Sequence, residues 1–391
     1  MRESFLSFSP PSIGEAEIEE VVDALRSGWI TTGPRTRLFE ERFAEAVGAP
    51  TAHAVNSGTA ALHVGLAAAG LGPGDRVVTT PMTFSSSAHV IEHLGATPVF
   101  VDVDPQTLNI DPERVAAVAR GARAILPVHL YGHPCEMPDL LDIAERSGAL
   151  VLEDAAHALP AFVRGRQIGA PDADHPGVLN LVAFSFYATK NLTTAEGGML
   201  VGPREVVDRA RVWSLHGMSR DAFDRYSEHG SWYYEVVLPG FKYNLTDLQA
   251  ALGLVQLRRL PEMHRRRLDI ARRYRAGFST VEEVEAPPSR PDIEHAWHLY
   301  SLRLNLDRLT IDRSRFIEEL RSRKIGTSVH FIPLHLQPYY RDRYELRPED
   351  FPIATREYHR LISLPLHPGL SDEDVDDVID AVTEVARRYA R

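Results

Sequence analysis

The stretch Leu181–Val201, LVAFSFYATKNLTTAEGGMLV, decides how this chain is read. It opens on an apolar run with β-type residues (Leu181, Val182, Phe184, Phe186), which predicts a buried strand. A small polar turn follows, Ala188-Thr189-Lys190-Asn191, then Thr193 to Gly198 and a second apolar run from Met199. Lysines are mostly exposed, so one on a tight turn between two buried strands is unusually placed. Ser185, five residues earlier, and the Glu196-Gly197-Gly198 corner set it apart from an ordinary solvated loop lysine. In a partly desolvated pocket such an amine falls below its usual pKa of ~10.4 and becomes a nucleophile able to form a Schiff base.

Working outward, 391 residues suffice for more than one domain. A hydrophobic content of 44% with 25% charged residues is ordinary for a globular protein. The net charge of −11 argues against nucleic acid or an anionic membrane as partner. No apolar run approaches the ~18–20 residues of a membrane span, and the start, MRESFLSFSPPS, lacks a signal peptide's apolar segment. The lone Cys135 excludes an internal disulfide framework and a CxxC metal knuckle. A cytoplasmic location is expected.

Along the chain, Ser12 with Glu15 suggests a capped helix running to Ser27, and a second helix is expected over Arg35–Val47. Short apolar runs then alternate with helical patterns. The runs are Ala52–Val55, Arg76–Thr79, Pro98–Val101, Ala122–Pro127, Ala149–Leu152 and Leu181–Phe186. The helical stretches between them are Thr59–Ala69, Ser85–Leu94, Pro112–Ala119 and Met137–Ser147. This alternation predicts an α/β fold with a mainly parallel sheet flanked by helices, whose ligands sit at the carboxyl ends of the strands.

Two motifs fall at such ends. Asn56-Ser57-Gly58-Thr59 lies between a strand and a helix; Gly58 permits close backbone approach, and the hydroxyls adjoin free helix-start N–H groups, an arrangement suited to phosphate. A plain helix cap is the competing reading. Gly70-Leu71-Gly72-Pro73-Gly74 leads into a strand, so it is not a dinucleotide loop. In Glu153-Asp154-Ala155-Ala156-His157 a strand ends in acids followed by small residues. The small residues would let a flat ring lie against the backbone, while an aspartate could bind a protonated ring nitrogen. A metal held by Asp154 and His157 with His129 or His133 is disfavoured, because 17 histidines produce such neighbours by chance.

A phosphate cradle, an aspartate for a pyridinium and a buried-turn lysine are the requirements of pyridoxal phosphate (PLP). Asn56-Ser57-Gly58-Thr59, Glu153 to His157, Ser185-Phe186-Tyr187-Ala188-Thr189-Lys190-Asn191 and Glu196-Gly197-Gly198 resemble, in order and spacing, the DegT/DnrJ/EryC1/StrS sugar aminotransferases. The resemblance runs from Gly28 to Leu366 and implies the fold type I architecture of PLP-dependent transferases. It implies Lys190 as the Schiff-base lysine, Asp154 on the pyridine nitrogen, His157 near the phenolic oxygen and Phe84 stacked opposite Ala156. Ser57, Gly58, Thr59 and Ser185 would hold the phosphate. Asn244, in a loop resembling one that enters the neighbouring subunit, would reach the partner's phosphate, which implies a homodimer. Thr31, Tyr187 and His330 would contact substrate. The implied reaction moves an amino group, from L-glutamate, to the C4 ketone of a nucleotide-linked sugar. A 3-keto sugar, a cyclitol, or a member of the fold without chemistry are the alternatives. Many relatives have Gly in place of Ala195, and Asn and Arg in place of Lys242 and Asn244. In both respects the chain resembles enzymes that make UDP-4-amino-4-deoxy-L-arabinose.

Downstream, a helix is expected from Thr246 to Arg259, broken by Pro261. The run His264-Arg265-Arg266-Arg267 is read as an exposed helix face. A loop near Pro287, a strand over Trp297–Leu304, a helix over Arg313–Arg323 and a last helix from Asp372 then predict a smaller α+β domain. Residues 1–266 and 267–391 are the expected domains. Residues 171–177 read as an added surface loop.

Overall fold

In the computed structural model, which describes residues 2–219 and 233–391, the alternating runs become one seven-stranded sheet. Its strands are β1 (Ala52–Val55), β2 (Arg76–Thr79), β3 (Thr97–Phe100), β4 (Ala124–Ile125), β5 (Leu150–Asp154), β8 (Asn180–Ser185) and β9 (Gly198–Val201), in the order β1-β9-β8-β5-β4-β2-β3. A hairpin of β6 (Phe162–Val163) and β7 (Arg166–Gln167) lies apart from it. The pairs β2–β3, β2–β4, β4–β5 and β5–β8 are parallel. Only β9 runs against its neighbours. The reason is local: the Lys190 turn brings the chain straight back beside β8, whereas a parallel neighbour needs a helical crossover.

Helices α1 (Glu15–Arg26), α2 (Pro34–Val47), α3 (Gly58–Ala68), α4 (Ser86–His93), α5 (Pro112–Val118), α6 (Met137–Ser147) and α7 (Arg204–Ser214) accompany the sheet. Phe39 and Phe43 of α2 meet Phe186 and Phe184 with ring centroids 5.5 and 5.1 Å apart. The next helix, α8 (Asp247–Phe278), closes on α2 at Gly253, where a Cβ would stand 2.7 Å from the Phe39 ring.

Three expectations fail here. The first helix is capped at Gly14, whose N–H donates to Glu17, while Ser12 instead receives Arg259. Pro261 does not end α8, which runs on to Phe278. Proline removes one helical hydrogen bond, but Pro261 faces solvent and the flanking residues Leu260 and Met263 are buried, so packing holds both halves in line. Arg267 does not lie on an exposed face; it is 3% exposed.

The carboxyl half of α8 changes partners. Leu254 and Leu260 belong to the core under the large sheet, whereas Ile270, Tyr274 and Phe278 belong to a second core. That core contains β12 (Tyr300–Leu304) and β13 (Leu361–Leu364), which form an antiparallel sheet with β10 (Val284–Glu285). The change of partners falls between Leu260 and Ile270 of α8. Two crossings tie the parts together. Leu6 packs in the second core and exchanges backbone bonds with Lys324 and Gly326, and β11 (Ile293–Glu294) pairs with β6. The 171–177 loop is tied down: Asp172 accepts from His175 and Arg166, and His175 reaches Asp142.

Candidate active site

The motifs converge because each follows the carboxyl end of a neighbouring strand. Ser57 follows β1, Phe84 the turn after β2, Asp154 ends β5 and Ser185 ends β8, with Asp154 paired in register to Ala183. They enclose a cavity of about 450 Å³ lined also by Thr59, Ala156, His157, Tyr187, Lys190, Glu196, His298, His330 and Phe331.

Lys190 sits on the turn closed by its N–H to the Tyr187 carbonyl at 2.9 Å. Burial pulls its ammonium down to about 8, with Asp154 opposing. Desolvation disfavours the charged form, so a substantial fraction of the amine is neutral near that pH. Asp154 is 5% exposed. Its Oδ2 accepts from Ser87 Oγ at 2.7 Å and its Oδ1 from the Ala156 N–H at 3.1 Å. The other acid of the pair, Glu153, points to the opposite face, as strand alternation requires, and is held by His129 at 2.8 Å and Asn180 at 2.7 Å. His133 Nδ1 lies 2.8 Å from the Pro134 carbonyl and 3.4 Å from the Asn109 amide.

Burial, with Lys190 and His330 nearby, holds His157 well below its ordinary range and therefore neutral. Its Nδ1 accepts the Tyr131 N–H at 3.2 Å, so the tautomer carries its proton on Nε2. His330 is lowered to about 4 by burial and by Lys190, and its Nδ1 meets Ser363 Oγ at 2.8 Å. His298 is likewise neutral through burial, packs 4.4 Å from the His157 ring and meets Asn191 Oδ1 at 3.3 Å.

At the cavity's other end, Ser57 caps α3 by accepting from Ala60 N at 3.0 Å, leaving the first-turn N–H groups of Gly58 and Thr59 for a ligand. A Cβ on Gly58 would stand 2.7 Å from Ser185 Cβ, so only glycine lets the helix start and the serine share this space. Phe84 is 59% exposed yet lines the cavity, 5.8 Å from the Phe331 ring.

Thr31, expected at the substrate, and Asn244, expected at the partner's phosphate, lie elsewhere in a single chain. Asn244 donates to Thr32 Oγ1 at 2.7 Å, and Thr31 is exposed, its carbonyl taking the Asp247 N–H; neither lines the cavity of its own chain. Conversely, sequence reading missed Thr83, Ser87, His298 and Phe331. Thr83 precedes α4 and Ser87 lies in its first turn, and nothing in the local sequence ties either to Asp154; His298 and Phe331 arrive from the carboxyl-terminal part of the chain without a local signal.

Residues 11–383 match the DegT/DnrJ/EryC1/StrS aminotransferase family. The chain belongs to this family. Among relatives of this aminotransferase, the spore coat polysaccharide biosynthesis protein SpsC of Bacillus subtilis is 50% identical over 389 residues, 99% of this chain and 98% of SpsC. A putative sugar aminotransferase from Streptococcus pneumoniae, solved in its PMP form, superposes with a TM-score of 0.90 at 36% identity, covering 98% of this chain and 99% of that one. The same protein in its PLP form gives 0.89. Helicobacter pylori PseC, an aminotransferase involved in the biosynthesis of pseudoaminic acid, gives 0.89 at 27% identity over 99% and 100% of the two chains. In this aminotransferase the residues present fit PLP. The bare Gly58 cradle suits a phosphate, Asp154 suits a pyridinium, and the lowered Lys190 amine suits an aldehyde.

Proposed function

We propose that this PLP-dependent aminotransferase passes an amino group from an amino acid, L-glutamate by family resemblance, to the C4 ketone of a nucleotide-linked sugar destined for a cell-surface polysaccharide, lipid A or glycan. The observation that carries the reading is the single cavity joining Lys190, Asp154 and the Gly58–Ser185 cradle. The polysaccharide role named for SpsC and the amino-sugar role named for PseC support the substrate class.

When bound, PLP supplies an electron-accepting ring through which an amino group can migrate in two half-reactions. The residues would do the rest. Asp154 holds the ring nitrogen protonated through a charge-assisted hydrogen bond. His157 offers its Nε2–H to the phenolic oxygen. Gly58, Thr59 and Ser185 anchor the phosphate, while Phe84 and Ala156 bracket the ring. Lys190 Nζ, its pKa brought down to about 8 by desolvation, takes the proton from the donor's α-carbon, and the same group serves the sugar carbon in the return half. The neutral imidazoles of His298 and His330 line the wall without adding positive charge beside that amine. Tyr187 and His330 face the space left for the sugar.

We place Asn244, which lies outside its own cavity, in a neighbour's site within a homodimer. No described helix is long and apolar enough to cross a membrane; we place the enzyme in the cytoplasm, where nucleotide sugars and glutamate are available. The test is amino transfer from ¹⁵N-glutamate across a panel of keto-sugar nucleotides, read by mass spectrometry. Labelled 4-amino product is expected; label only on 3-amino products would overturn the C4 assignment. Light scattering should find a dimer, and a monomer with full activity would remove Asn244 from the site.

A further inference from the structure

We propose that Ser87 is a positioning residue for Asp154, with Thr83 fixing the direction of its proton; the inference rests on the aminotransferase reading above. Ser87 Oγ lies 2.7 Å from Asp154 Oδ2, 2.8 Å from Thr83 Oγ1 and 3.3 Å from the Phe84 carbonyl. Thr83 and Ser87 are 1% and 0% exposed, so water does not compete for these bonds.

The proton count leaves one arrangement. An ionised carboxylate only accepts, and a serine has a single O–H. The short contact to a charged acceptor outweighs the long one to a carbonyl, so Ser87 donates to Asp154. Its oxygen then accepts from Thr83, whose proton has no choice of direction. With Oδ1 tied to the Ala156 N–H, turning the carboxylate would break bonds to two separate elements. The remaining lone pairs are therefore presented to the cavity in one orientation. Phe84 lies just before the N-cap of α4, so the segment leading into this helix carries the ring's stacking partner and its first turn carries the residue that orients the carboxylate facing the ring nitrogen.

The closing experiment measures PLP affinity of the cofactor-stripped chain by absorbance titration, alongside kcat and KM, for Ser87→Ala, Ser87→Thr, Asp154→Asn and the double variant. Loss of a hydrogen bond to a charged group should weaken PLP binding about tenfold and lower kcat by a similar factor, with KM for the donor within about twofold. Ser87→Thr should restore most of both. In the Asp154→Asn background Ser87→Ala should add less than about twofold, because its effect passes through that carboxylate. Independent, multiplying effects of the two changes, or wild-type affinity in Ser87→Ala, would overturn the inference while leaving the enzyme's assignment intact. Failure of the wild-type chain to bind PLP at all would instead sink the aminotransferase reading. Should Ser87→Ala not fold, Thr83→Val reads the same proton chain with a smaller expected loss of about threefold; no loss there would equally count against it.

Discussion

Lys190 and Arg267 are both desolvated cations with no carboxylate bound to them among the described residues, yet they do opposite work. Lys190 faces a cavity and is brought down to about 8, close enough to neutrality to lend and recover a proton. Arg267 lies in the seam between the two cores, is brought down to about 10 by burial, and keeps its charge at pH 7. Its guanidinium donates to the carbonyls of Leu366 at 2.7 Å, Trp297 at 3.2 Å and His298 at 3.3 Å. The same desolvation thus makes one cation reactive and the other structural. The residue type decides: an ammonium releases its proton within reach of neutral pH, whereas a planar guanidinium holds its proton and spans several acceptors.

The largest effect that could break this contrast is at Lys190. Lys190→Ala is expected to abolish turnover while leaving a folded chain by circular dichroism; half-normal activity would show that the two cations do not differ in kind. Next comes Asp154→Asn, expected to cost several orders of magnitude in kcat, since an amide no longer favours a charged ring nitrogen. Arg267→Leu should spare the chemistry of its few survivors but lower stability by about 3 kcal/mol in denaturant unfolding, because three buried carbonyls lose their donor. Near-native stability would mean that backbone pairing alone holds the seam. A gentler probe is pH. Lys190 is lowered, so it is charged below about 8 and neutral above. The rate at which the cofactor-stripped chain captures PLP should therefore rise about tenfold per unit on the acid side and level off above that point. A limb near the unperturbed lysine value would place the amine in water.

How far this contrast was legible differs between its halves. Lys190, Asp154 and the Gly58 cradle could be read because each sits at the carboxyl end of a strand or within five residues of it, the strand's apolar pattern is local, and the parallel topology then forces strand ends together. Arg267 could not. Within its own run, Arg265 and Arg266 look the same, and only the crossing of α8 from one core into the other, over a proline that usually ends helices, turns the third arginine inward. Asn244 is a different case: its expected role depends on a second chain, and in a single chain it donates to Thr32 while Thr31 takes the Asp247 N–H. The placement of Ser87 lay between these cases: it falls in the first turn of an expected helix but had no meaning until Asp154 was known to face it.

The smallest expected effect sharpens the comparison from the Lys190 side. Ala195, in the turn that follows the lysine, has φ +67°, a left-handed conformation in which a Cβ is strained. The turn is pinned on either side: the Ala195 N–H donates to Thr193 Oγ1 at 3.0 Å, and a Cβ at Gly197 would stand 2.1 Å from Thr194 Oγ1. Packing around the lysine therefore imposes the backbone shape, and alanine bears it at a cost that glycine would not. Ala195→Gly should raise stability by about 0.5–1 kcal/mol, the relief of strain exceeding the greater freedom of glycine in the unfolded chain. Because Ala195 is exposed and its side chain touches neither Lys190 nor the cavity wall, kcat should stay within about twofold. A fall in stability would mean that the turn does not hold this conformation in solution, and the desolvation assigned to Lys190, which depends on the same turn, would fall with it.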